Sequence, residues 1–157
     1  GIIPDILVIG KALGGGFPIG ALICNKSLMD KFKYNPILGH ITTFGGHPVI
    51  AKAGIETIKY ILKKNLQSKA LQKEKLFKSF LKHELISEIR GKGLMIAMIM
   101  KSEKIANYLV QECLKKGLIV FFLLYEKKAV RITPPLTISK KEIKIGCKLI
   151  IELLNDY

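Results

Sequence analysis

The chain of 157 residues has no tryptophan, three cysteines and only two arginines, Arg90 and Arg131, although lysine and arginine together number 26. Each scarcity excludes something. Cys24, Cys113 and Cys147 are odd in number and widely spaced, so neither a disulfide framework nor a C-x-x-C metal site is expected. A reducing compartment, with the cytoplasm as default, suits them. No apolar run reaches the roughly 18 residues needed to span a bilayer, and no membrane association is expected. The net charge of +14 would suit a polyanion through counterion release. Its distribution argues against nucleic acid: Lys63, Lys64, Lys69, Lys73, Lys75, Lys78 and Lys82 are strung along expected helix faces, without interleaved aromatics or a recognisable nucleic-acid module. Solvated helix faces are the expected reading. Keeping arginine at only two positions points to places where a planar fork of donors is needed.

The richest stretch runs from Asp5 to Gly20. Ile6 to Ile9 is a short β-branched and aliphatic run, predicted to be a strand buried on both faces. Lys11 follows at its carboxyl end and leads into Gly14-Gly15-Gly16, where the backbone can take positive φ and approach a bound group closely. A phosphate loop places its glycines before the lysine and Ser or Thr after it, whereas Ala12 follows here. Neither these glycines nor Gly91-Lys92-Gly93 continue as a dinucleotide fingerprint. Two readings of Lys11 remain. One is an amine nucleophile, desolvated enough to lower its pKa from about 10.4. The other is a snorkelling surface lysine at a strand end.

Along the chain, Pro18 to Cys24 is predicted as a second strand, and Asn25 or Ser27 as the cap of a short helix reaching about Phe32. Tyr34 to His47 reads as a long loop, of a length more often functional than decorative. A helix starts at Pro48 and could link two domains. Asn65 to Leu85 is predicted as a further amphipathic helix, with Leu66, Leu71, Leu76, Phe80 and Leu81 on one side and its aromatics in the core. Residues 86 to 100 turn extended around Gly91 and Gly93, with Leu94 to Met100 as a strand whose methionines pack rather than bind metal. Ser102 to Lys116 is a helix closed by Gly117. Leu118 to Leu124 and Ala129 to Ile132 are strands, and Ser139, with Glu142 in the capping-box position, opens the last helix. Pro134 and Pro135 are expected to end the strand beyond Arg131 and make that segment a rigid edge.

Pro4-Asp5-Ile6 through Gly10-Lys11-Ala12-Leu13-Gly14-Gly15-Gly16, with Pro18-Ile19-Gly20-Ala21 after it, resembles the lysine segment of class III pyridoxal-phosphate aminotransferases, the group of acetylornithine, ornithine and 4-aminobutyrate aminotransferases. Thr43-Phe44-Gly45-Gly46-His47-Pro48 is similar to that family's Thr-Phe-Gly-Gly-Asn-Pro segment, and Arg131-Ile132-Thr133-Pro134-Pro135-Leu136 to its Arg-x-x-Pro-Pro-Leu segment. With Arg90-Gly91-Lys92-Gly93-Leu94, the similarity spans almost the whole chain.

The resemblance implies an α/β fold of the aspartate-aminotransferase type (pyridoxal-phosphate fold type I). Residues 1–60 would be the end of the large cofactor domain, with the lysine and the linking helix, and residues 61–157 a small α+β domain. It implies Lys11 holding pyridoxal 5′-phosphate as an aldimine and later moving a proton. Thr43 would bind the cofactor phosphate of a partner subunit, helped by backbone amides of Phe44 and Gly45, which implies a homodimer with shared active sites. Arg131 would grip a substrate carboxylate or pair with a gating acid, the alternative being an ion pair between strands; Arg90 is assigned to structure. The family's greater length and the start at Gly1 lead us to expect the carboxyl-terminal part of a longer protein.

The expected activity moves an amino group between an ω-amino acid of acetylornithine or ornithine type and a 2-oxo acid. The alternatives are a 4-aminobutyrate-type enzyme, a related isomerase, or a non-catalytic fragment that only folds and dimerises. His47 in place of asparagine and the bulky Phe121-Phe122-Leu123-Leu124 leave the substrate open.

Overall fold

A computed structural model describes residues 1–157, which divide into two compact units, Gly1–Lys64 and Asn65–Tyr157. The unit boundary falls past residue 60 because helix α2 continues unbroken from Pro48 to Lys63.

In the first unit, strands β1 (Ile6–Gly10) and β2 (Gly20–Cys24) form an antiparallel pair with Gly10 opposite Gly20 and Ile6 opposite Cys24. Helix α1 (Lys26–Met29) follows, capped by Asn25, whose Oδ1 accepts the Leu28 N–H at 3.0 Å. A 3₁₀ turn over Asp30–Lys33 extends it, and the chain then runs without regular structure to α2. Pro48 opens α2 where a missing N–H costs nothing. One expectation is corrected here. β1 is not buried on both faces: Ile6 is 51% exposed, Leu7 42% and Val8 73%, because the only strand bonded to it within the chain is β2 and no layer covers the pair.

The second unit holds α3 (Leu66–Phe80), β3 (Ile86–Lys92), β4 (Met95–Met100), α4 (Glu103–Lys115), β5 (Phe121–Phe122), β6 (Ala129–Ile132) and α5 (Lys140–Asn155). Its four strands make one antiparallel sheet in the order β3-β4-β6-β5. Strand alternation sends Ile96, Met98, Met100, Val130 and Ile132 to one face. There they join Phe77 and Leu81, Ile105 and Leu109 of α4, and Ile143 and Ile150 of α5 in one buried cluster. Met98 and Met100 are packing residues with no exposed surface, while Met95 is exposed.

Helix ends follow local chemistry. Ser139 Oγ accepts the Glu142 N–H at 3.2 Å and Glu142 returns a carboxylate to the Ser139 N–H at 2.7 Å, the reciprocal capping box. At the end of α4, the Leu118 N–H reaches the Cys113 carbonyl at 2.8 Å and the Gly117 N–H that of Leu114 at 3.0 Å, a Schellman pair permitted by Gly117 at φ 80°. Helix α3 stops at Phe80, five residues short of expectation. Beyond it His83 orders the following turn: its Nδ1 accepts the Leu85 N–H at 3.1 Å, so its Nε2 carries the proton and reaches Asn155 Oδ1 at 3.1 Å.

Two further expectations change. The buried side of α3 is Leu66, Ala70 and Phe77, with Leu81 just beyond its end; Phe80 and Leu71 face solvent. The strand expected over Leu118 to Leu124 shrinks to Phe121–Phe122, because β6 offers β5 only the rungs at Arg131 and Val130. Burial pushes the thiols of Cys113 and Cys147 up, to about 11 and about 12, so both behave as small apolar core groups. Burial, and then the neighbouring Lys69, hold the Lys73 ammonium below the usual lysine value, and it donates to the Leu136 carbonyl at 2.6 Å.

Candidate active site

Lys11 stands one residue past the last β1–β2 pair, with its backbone in the left-handed region at φ 53°. A non-glycine residue there carries about 1–2 kcal/mol of strain, sustained only where the surroundings impose it. The surroundings here are the turn Lys11–Gly14 and its bed on α2. The Gly15 N–H donates to the Ala12 carbonyl at 3.1 Å and the Phe17 N–H to that of Gly14 at 3.1 Å. Ile19 packs between Gly14 and Gly54, where an added β-carbon would meet its side chain at 3.1 and 3.0 Å. Both glycines are buried, so the turn sits on the helix backbone itself. Lys11 is exposed, and no hydrogen bond or ion pair engages its amine.

The Thr43 loop turns twice in succession. The Gly45 N–H donates to the Thr42 carbonyl at 3.1 Å and the His47 N–H to that of Phe44 at 3.2 Å, which leads the chain directly into α2. The Phe44 N–H donates to no backbone carbonyl. A cleft of about 320 Å³ lies at this helix start, lined by Pro18, Ile19, Thr42, Phe44, Gly45, His47 and Ile50 among others. No acidic side chain lines it or occupies the first turn of α2, so the partial positive charge of the helix start is uncompensated. Phe44 and Gly45 thus border the cleft; Thr43 sits between lining residues in sequence and is exposed, and Lys11 is not part of the lining. His47, singled out as a departure, is the residue that both ends the loop and lines the cleft.

Arg131 belongs to the second unit, on the sheet face opposite the core. Across that face one row runs Arg90, Ala97, Arg131, Phe121, each opposite the next. Arg90 Nε is tied to Glu88 at 2.8 Å, an exposed pair worth less than about 1 kcal/mol. Arg131 has no acidic partner and no hydrogen bond, so the ion pair between strands considered for it is absent from this unit. The Phe121 ring lies beside it, 5.1 Å from guanidinium carbon to centroid. The edge expected of this segment is also corrected: β6 is an inner strand between β4 and β5, and Pro134 and Pro135 lie beyond its end. Sequence reasoning missed the supporting contacts of Gly54 and Thr57 beneath the Lys11 turn, since nothing in a helical run marks which residue a distant loop will touch.

No cluster of three His, Cys, Asp or Glu side chains is arranged to hold a metal ion, and no helix is long and apolar enough to cross a membrane.

The profile of the class-III aminotransferases matches residues 1–154. Acetylornithine aminotransferase of Caldanaerobacter subterraneus subsp. tengcongensis is 34% identical over 161 aligned residues, covering 99% of this chain and 39% of that protein. Putrescine aminotransferase of Pectobacterium atrosepticum is 38% identical over 149, covering 90% of this chain and 32% of its own length. Among solved structures, acetylornithine aminotransferase from Elizabethkingia anophelis superposes with a TM-score of 0.86 at 30% identity, over 99% of this chain and 40% of that one. The chain therefore spans about a third to two fifths of the length of the relatives it matches. Its mixed helix and sheet architecture is the α/β fold of the pyridoxal-phosphate aminotransferases, and the chain belongs to the class-III aminotransferase family.

Proposed function

We propose that this chain contributes the lysine, a phosphate-binding loop and a carboxylate-binding arginine to an aminotransferase acting on an ω-amino donor of acetylornithine or ornithine type, with a 2-oxo acid as acceptor. The observation that carries the reading is Lys11: an amine free of any partner, at a strand end, on a backbone held in a strained conformation by a turn seated on α2. The relatives named for acetylornithine and putrescine support the donor class, since both compounds carry a terminal primary amine.

The residues present fit pyridoxal 5′-phosphate. A primary amine with no competing partner suits its aldehyde, and the cleft without acidic groups at the start of α2 suits an anion. When bound, that group would supply an electron-withdrawing ring that acidifies the C–H of the carbon bearing the donor's reacting amine. Lys11 would hold the cofactor through its amine and, once displaced by the donor, would take the proton from the carbon that bears the transferred amine. Thr43 donates its hydroxyl to the phosphate, with the Phe44 and Gly45 region beside it. In our reading that phosphate belongs to a second copy, making a homodimer with shared sites. Arg131 binds a substrate carboxylate with two parallel hydrogen bonds. Residues 1–60 are assigned to the large cofactor domain and 61–157 to the small one.

Borohydride treatment of the protein incubated with pyridoxal 5′-phosphate tests this. A reduced pyridoxyl adduct on Lys11, absent in Lys11→Ala, is expected by peptide mass spectrometry. An unmodified Lys11 would overturn the assignment and favour a non-catalytic piece that folds and dimerises.

A further inference from the structure

We propose that Phe121 is the positioning residue of Arg131, holding its guanidinium ready for a carboxylate; this rests on the substrate-binding reading of Arg131. The two residues are direct cross-strand partners, and the guanidinium carbon lies 5.1 Å from the ring centroid. Attraction between the cation and the ring face favours that arrangement. No hydrogen bond or ion pair occupies the guanidinium, so its N–H donors stay free to grip a carboxylate.

The other arginine shows what a structural role looks like on the same sheet face. Arg90 is neutralised by Glu88 at 2.8 Å, whereas Arg131 has no acid and no hydrogen bond. On its other side Arg131 faces Ala97, whose methyl group cannot restrain a long side chain. Of its two cross-strand neighbours, only Phe121 offers a surface for the guanidinium to rest on.

Phe121 is itself aimed from below. The Schellman end of α4 fixes Leu118, Val120 is buried at 6% exposure, and alternation then turns Phe121 to the face of Arg131 with 55% of its surface exposed. A half-exposed phenyl ring contributes little to the core. Its place in a two-residue strand is accounted for by the cation beside it.

Because the chain has only Arg90 and Arg131, phenylglyoxal modification mapped by mass spectrometry reads each guanidinium separately. On the full chain, glutarate should protect Arg131 and leave Arg90 unprotected. Phe121→Leu should raise the glutarate concentration for half-protection about three- to tenfold, and Phe121→Tyr should keep it near the wild-type value. Phe122→Leu, one residue along with its side chain on the opposite face, should leave protection unchanged. Unaltered protection in Phe121→Leu, or an equal loss in Phe122→Leu, would overturn the positioning role and spare the substrate reading. Failure of glutarate to protect Arg131 in the wild type would remove the substrate reading and the proposal with it.

Discussion

Gly15 lies against Thr57 of α2 with no room between them for a β-carbon: an added methyl would overlap the Thr57 hydroxyl, which is itself held by a 2.9 Å hydrogen bond to the Ala53 carbonyl. Gly15 also sits at φ 59°, so its exchange for alanine adds conformational strain to the overlap. Gly15→Ala should destabilise the Lys11 turn by about 1–3 kcal/mol. Thr57→Ala in the same chain should recover the part due to overlap. A double-mutant cycle of thermal melts showing no coupling between the two positions would refute the contact.

Phe77 and Phe80 separate core from surface on one helix. Phe77 is 4% exposed and Phe80 38%. Phe77→Ala should cost about 3–5 kcal/mol in denaturant unfolding, and Phe80→Ala under about 1. Equal losses would mean that α3 turns a different side to the sheet.

Ser139→Ala removes one half of the α5 capping box and should cost about 0.5–2 kcal/mol. Glu142→Gln keeps an acceptor for the Ser139 N–H and should cost less. Thermal melts of the two variants give the order directly.

Glu74 sets a pH dependence. Its carboxylate accepts from Lys78 and from the Gly93 N–H, each at 2.6 Å, and these partners, Lys78 first, hold its pKa below the ordinary 4.5. A folded value below the unfolded one favours the folded state above the unfolded pKa, and that contribution disappears as pH falls through the folded value. Melts between about pH 3 and 6 should therefore show a shallower acid loss in Glu74→Gln than in the wild type. Parallel curves would exclude the latch between α3 and the β3–β4 turn.

Thr43→Val should weaken retention of pyridoxal 5′-phosphate about tenfold or more, since one hydrogen bond to a charged acceptor is worth roughly 1.5–3 kcal/mol. Equilibrium dialysis of cofactor against the wild type and this variant measures it. Equal affinities would move the phosphate contact off Thr43.

What could be read from sequence followed from local rules. The caps Asn25 and Ser139, the stop at Gly117 and the opening Pro48 act within a few residues of themselves, and all sit at helix boundaries in the fold. The burial of β1 was illegible because an apolar run records a tendency to be covered without recording what covers it. Phe77 and Phe80 both read as core, yet only Phe77 is buried, because three residues along a helix turn a side chain by about 60°, enough to carry Phe80 to the margin of the buried side. The turn after α3 is joined to Asn155, 72 residues away, through His83, a contact that no local pattern encodes. At the site, the Lys11 motif was plain, but the bare guanidinium of Arg131 and the ring beside it emerge only from strand register.

Buried side chains of the core all come from residues 66 to 154, while the buried positions before them are the glycines Gly14 and Gly54. A protease meets these two parts as different materials. Cleavage needs several residues to leave the fold together, and stretches lacking an apolar anchor open far more often than a packed sheet. Brief digestion should cut first in the loop between Tyr34 and His47 and leave a resistant piece beginning near Asn65, its size reporting where cooperative structure in this chain begins.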